Sequence, residues 1–156
     1  MVVDATARLY DVDEDLVVFK KLQQTKRYDQ GRITFRARKG KLIDLAKLHE
    51  SIWATRLSGG TRSGLVSLNV TAVGEVVETE NGIVLRVANS SEEFLLGKHT
   101  DEKHAASFGQ LAAAGAKQAV RVTGLIDNYH GRWPGLLKTQ PTQPRRILVT
   151  SFNVVE

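Results

Sequence analysis

From Leu65 onward the chain keeps returning to a period of two. LVSLNVTAVGEVVE (65–78) alternates along its length, and ETENG (78–82) follows as a turn with Asn-Gly at its corner. IVLRVANSSEEFLLG (83–97) gives two short strands broken at Asn89-Ser90-Ser91. AVRVTGLIDNYHG (119–131), GLLKTQ (135–140) and ILVTSFNVV (147–155) read as further strands. A period of two sends successive side chains to opposite faces, so this half is expected to be almost wholly β. The interruption is DEKHAASFGQLAAAGA (101–116), a short helix of small residues.

The first half is patterned differently. ATARLYDV (5–12) alternates as a strand, and Asp13 or Asp15 can cap a helix over LVVFKKLQQTK (16–26), with Leu16, Phe19 and Leu22 on one stripe. TKRYDQGRITFRAR suggests a hairpin turning at residues 28–31, where Gly31 supplies positive φ. Asp44 opens a second helix, LAKLHESIWATRL (45–57), with Leu45, Leu48, Ile52 and Trp53 at helical spacing and Gly59 or Gly60 ending it. The junction between halves is LSGGTRSG (57–64), where charge also changes. Residues 1–64 hold 13 Lys/Arg against 8 Asp/Glu, a net of +5, while residues 65–156 hold 9 of each. Two domains, 1–64 and 65–156, are therefore expected in an α+β protein. The order strand, helix, hairpin, helix is a βαββα module, and strand 64–77 could complete the ferredoxin-like plan.

Two resemblances follow from these residues. VTAVGEVVE with Gly74, IVLRVANSSEEFLL, the helix before Ala119 and the V-x-V-x-G of Val120, Val122 and Gly124 resemble the OB fold over about 65–156. That likeness implies a small five-stranded barrel of the kind that binds oligonucleotides or oligosaccharides. Residues 1–64 resemble, more weakly, a heavy-metal-associated domain. That family's ligands are the two cysteines of a CxxC loop after the first strand, and here the loop reads DVDED (11–15). The resemblance extends to the fold and not to the metal chemistry. Three carboxylates at a helix start serve more often as caps than as ligands for a hard cation.

Composition removes other classes of function. The 156 residues include no cysteine, so disulfides, thiolate metal sites and cysteine nucleophiles are excluded together. No apolar run approaches the roughly 20 residues of a membrane span. MVVDATARLYDV lacks the basic and apolar regions of a signal peptide, so a cytoplasmic location is expected unless a leader has been removed. The four histidines are His49, His99, His104 and His130. HESIW is not a zinc-protease motif, and no phosphate loop, dinucleotide fingerprint or Gly-x-Ser-x-Gly elbow occurs. His99 and His104, five apart in KHTDEKH, could meet a metal but fit a solvated charged loop better. The reading is a non-enzyme with no cofactor and no metal.

Two segments are candidates for binding. Between Lys26 and Lys47 eight Lys/Arg stand against Asp29 and Asp44, a net of +6. As a strand, GRITFRARKGK (31–41) puts Ile33, Phe35 and Ala37 on one face and Arg32, Thr34, Arg36 and Arg38 on the other. Lys39 and Lys41 follow, and Arg8 and Tyr10 would share the open face of a neighbouring strand. These residues resemble the sheet of RNA-recognition domains, yet the stacking rings of that family's central strand are missing. The row could hold phosphate without reading bases, or it could meet an acidic protein, the chain's own barrel or water. The second candidate is NYHGRWPG (128–135), where Tyr129, His130, Arg132 and Trp133 form an aromatic, basic loop. OB folds bind at such a loop; equally, Trp133 could plug the barrel end. The expected function is a non-catalytic binding or assembly module for an acidic protein, with a sequence-tolerant nucleic-acid binder as the alternative. The sequence leaves the oligomeric state open.

Overall fold

The structure, a computed structural model, describes residues 18–24, 29–34, 36, 37, 41, 44–54, 67–114, 118–127 and 145–155. The chain divides into two compact units, Met1–Gly64 and Leu65–Glu156. It is an α+β protein with a five-stranded sheet and two helices among the described residues, neither long and apolar enough to cross a membrane.

In the N-terminal unit, β1 (Val18–Gln24) pairs antiparallel with β2 (Asp29–Thr34) as a two-stranded sheet. This corrects the expected helix over 16–26, because residues 18–24 are strand. Residues 29–31, expected in the turn, are instead strand residues of β2, and Gln24 and Asp29 are the last register partners. The physical reason lies in β1 itself. Leu22 is skipped between the Lys21↔Gly31 and Gln23↔Gln30 partners, so the strand carries an extra residue and its alternation is broken. Apolar residues three apart then imitate helical spacing. The described residues thus replace the first helix of a βαββα order with a strand, and the expected strand at 5–12 lies outside them.

Helix α1 (Leu45–Ala54) begins where Asp44 predicts. Asp44 Oδ1 accepts from the backbone N–H of Ala46 at 2.9 Å and Lys47 at 3.1 Å, satisfying two of the donors a helix start leaves open. Leu45, Leu48 and Ile52 are buried and Trp53 is half-buried. His49, one turn on from Leu45, is buried beside them, which its polarity did not announce.

The C-terminal unit is a closed barrel of β3 (Asn69–Thr79), β4 (Gly82–Val87), β5 (Glu93–Lys98), β6 (Ala119–Ile126) and β7 (Arg146–Val154), ordered β3-β4-β5-β7-β6. The β5–β7 pair is parallel and the others antiparallel. Its interior rows are apolar, as in Val76↔Leu85 and Leu85↔Phe94 across β3, β4 and β5. Leu85, Val122, Ile126, Ile147 and Val149 are fully buried. Phe108 and Phe152 fit core positions on apolar faces of the sequence pattern, yet both are half-buried.

Two glycines permit closure. β3 pairs with β6 through Glu75 and with β4 from Gly74 onward, so Gly74 and Glu75 are the corner where it serves both neighbours. A Cβ at Gly74 would lie 2.0 Å from the Arg86 carbonyl oxygen. Gly124 faces Val149 where Thr150 is skipped between the partners of Thr123 and Gly124, and a Cβ there would meet Leu148 O at 2.3 Å. The skipped Thr150 has its carbonyl outside the regular ladder. Ser107 Oγ donates to that oxygen at 2.9 Å, tying helix α2 (Glu102–Ala114) to β7. α2 packs against β7 and β5 and buries Leu111.

Candidate binding surfaces

In the N-terminal unit the pleat of β2 decides which side chains meet water. Arg32 and Thr34 are exposed two residues apart, and Arg36 just beyond the strand is exposed as well. Ala37 is half-buried and Lys41 is exposed. Ion pairs among the described residues join Arg86 to Glu93 and Arg146 to Asp127, and none of them joins Arg32, Arg36 or Lys41 to another described residue. The register pairs Lys20 with Arg32, a pairing that a helical reading of residues 16–26 conceals. Arg8, Tyr10, Arg38 and Lys39 lie outside the described residues.

The barrel surface has a different electrostatic character. Glu75, Arg86 and Glu93 are register partners in one exposed row across β3, β4 and β5. Arg86 Nε donates to Glu93 Oε1 at 2.8 Å with both side chains about half exposed, a pair worth roughly 0.2–1 kcal/mol. A shallow open depression beside this row, lined by Gly74, Glu75, Arg86 and Gln118, therefore has its cation already neutralised. Next to the row, Val77, Val84 and Leu95 are partners on the same face; Val84 is buried although alternation places it outward. Nothing on this wall forms the positive groove that a single nucleic-acid strand would require.

Tyr129, His130, Arg132 and Trp133 also lie outside the described residues, but the neck from which their segment departs is defined. Ile126 N–H donates to Leu68 O at 2.8 Å, and Asp127 N–H donates to Arg146 O at 2.9 Å. Arg146 Nε donates to Asp127 Oδ2 at 2.9 Å, and its Nη2 reaches the same oxygen. The last residue of the outgoing strand region and the first of the incoming strand are clamped together. Arg145, immediately before that clamp, is buried. Sequence reasoning missed the clamp because its two partners are 19 residues apart and neither belongs to a motif.

The histidine pair is tied into local structure. The His99 and His104 rings stand 5.2 Å apart at 70°, edge to face. His99 Nδ1 accepts from the Asp101 backbone N–H at 2.9 Å, and Asp101 Oδ1 in turn caps α2 by accepting from Lys103 N–H at 3.0 Å. An Nδ1 that accepts leaves the ring proton on Nε2, whereas a ligating histidine donates from one nitrogen while the other binds metal. Among the described residues no three His, Asp or Glu come together as a metal cluster. Purified protein is expected to carry no stoichiometric zinc or copper. Elemental analysis finding either metal, lost on replacing His99 and His104, would overturn this.

The chain matches no protein family, no curated protein and no solved structure.

Proposed function

We propose that this protein is a non-catalytic binding module. It engages an anionic partner through the cations around β2 and uses the aromatic, basic segment 129–133 at the barrel as a second contact. The observation that carries the reading is the set Arg32, Arg36 and Lys41, exposed and without an ion pair to another described residue, in the half of the chain that holds all of the net charge. Exposed charge contributes little to folding, so its concentration in one unit is better explained by association than by stability.

The barrel is read as an OB fold. Support comes from five closed strands in the order β3-β4-β5-β7-β6, a parallel β5–β7 pair, and a helix between β5 and β6. The clamp at Asp127 and Arg146 holds the last described residue before the aromatic, basic segment 129–133 against the start of β7, which supports a contact role for that segment at the barrel. The charge argument rests on β2 and the residues that follow it, and does not depend on a ferredoxin-like plan.

The test is the triple variant Arg32→Gln, Arg36→Gln, Arg38→Gln, assayed against immobilised polyglutamate and by thermal melting. Its melting temperature should stay near wild type, since exposed substitutions fall within about 0.5 kcal/mol each, while most of the affinity disappears. A variant that unfolds would mean these arginines sit in an internal ion-pair network. A stable variant that binds undiminished would reduce the row to solvated charge.

A further inference from the structure

We infer that Asn81, at the tip of the β3–β4 hairpin, is a self-modifying site. Its side-chain amide closes onto the backbone of Gly82, expels ammonia and leaves a mixture of aspartate and isoaspartate. The inference stands on the barrel unit alone and is independent of the binding reading.

The chemistry needs only the chain and water. The Gly82 backbone nitrogen gives up its proton and attacks Cγ of Asn81. A bond forms between the two atoms, the bond from Cγ to the side-chain nitrogen breaks, and that nitrogen leaves with the proton as ammonia. The resulting cyclic imide adds water at one of its carbonyls. Opening at the side-chain carbonyl gives aspartate. Opening at the backbone carbonyl gives isoaspartate, whose main chain runs through Cβ and Cγ. Nothing is oxidised or reduced.

The surroundings select Asn81. The described asparagines are Asn69, Asn81, Asn89 and Asn153, and all are exposed, so exposure does not choose among them. The following residue does. Asn69 and Asn153 lie in strands, opposite Leu125 and Arg121, and each is followed by a stiff, β-branched valine. Ser90 follows Asn89, and its Oγ accepts from the Glu92 N–H at 2.9 Å. Asn81 alone of the four precedes a glycine. A Cβ at Gly82 would find nothing within 4 Å beyond its chain neighbours, so the attacking nitrogen is unshielded. Gly82 also takes a φ of 116°, which side chains rarely adopt. The turn therefore favours the one residue that leaves Asn81 open to attack, at a loop tip where backbone opens most readily.

Either product adds a carboxylate beside exposed Glu78 and Glu80, in a stretch (75–83) without Lys or Arg. Isoaspartate also lengthens the link between Thr79 and Gly82, register partners that the Thr79 hydroxyl ties by donating to Gly82 O at 2.9 Å. The partners from Glu78↔Ile83 to Gly74↔Val87 lie beyond the turn, so the change is confined to the hairpin tip.

The test ages the full chain at mildly alkaline pH, folded and in urea, with samples taken over weeks. Trypsin cleavage after Arg62 and Arg86 puts Asn69 and Asn81 in one peptide, 63–86, and cleavage after Lys98 puts Asn89 in the next. In the folded protein peptide 63–86 should gain the mass of an amide turned acid, located at Asn81 by fragmentation and split into two chromatographic forms. Conversion at Asn81 should exceed that at Asn69 and Asn89 many-fold. Asn81→Gln keeps the amide but lengthens the side chain, and should abolish the new forms. Conversion at Asn81 no faster than at Asn69 or Asn89 would overturn the inference. So would new forms that persist in Asn81→Gln, or an Asn81 that converts in urea and stays amide in the folded chain, because the hairpin would then protect the site.

Discussion

Gly74→Ala should lower the unfolding free energy of the barrel by about 3 kcal/mol or more, among the largest effects available to a single methyl group. The added carbon would stand 2.0 Å from Arg86 O and 2.7 Å from Arg86 C, both backbone atoms of the neighbouring strand. A crowded side chain can rotate away, but backbone held in register cannot. Gly74↔Val87 and Glu75↔Arg86 would have to separate at the place where β3 is also held to β6 by Gly74↔Val120 and Glu75↔Ala119. With about 4 °C per kcal/mol for a unit of this size, the melting temperature should fall by at least ~10 °C. Gly97→Ala is the comparison, because its nearest contacts, at 3.0–3.4 Å, are the flexible side chains of Arg146 and Leu148. If Gly74→Ala melts no lower than Gly97→Ala, the close approach of β3 to β4 is not as tight as described.

That contrast shows which features of the fold are legible in the chain. Gly74 stands out because it interrupts an alternating run, and an interruption by glycine marks a bend or a close backbone approach. Gly124, Asp44 and the break at Asn89 are readable for similar reasons. Each is a local solution to a local problem, and Asn89 adopts the positive φ of 58° that a turn between β4 and β5 uses. The helix α2 is likewise announced by Asp101 ahead of an alanine-rich run.

What could not be read is pairing. Residues 18–24 carry Phe19 and Leu22 three apart, a spacing that suits a helix, and only the partner strand with its skipped Leu22 makes them a β-strand. The β1–β2 pair follows the same logic. Exposure of Arg32, Thr34 and Arg36 follows from alternation, but the apposition of Lys20 and Arg32 depends on a register that no single segment encodes. Phe108 and Phe152 err in the other direction. Apolar faces were visible, yet how deeply each is covered depends on neighbours distant in sequence, and both remain half-buried.

Leu85→Ala should cost about 2–5 kcal/mol, whereas Leu85→Met should cost less than about 1.5. Leu85 is fully buried on β4, between Val76 on β3 and Phe94 on β5, which are its register partners and are themselves buried. Truncation removes the transfer free energy of the lost carbons and leaves a void that three paired strands cannot collapse to fill, because their spacing is fixed by the ladder. Methionine keeps the volume and bends to fit it. Urea unfolding followed by far-ultraviolet circular dichroism distinguishes the two terms. Loss of hydrophobic volume predicts a lower midpoint for alanine, near-wild-type behaviour for methionine, and an unchanged denaturant slope in both. If methionine is as damaging as alanine, the site demands leucine's shape and not merely its volume. If alanine costs under about 1 kcal/mol, the row Val76–Leu85–Phe94 is not the centre of the core, and the closed packing ascribed to this barrel is wrong.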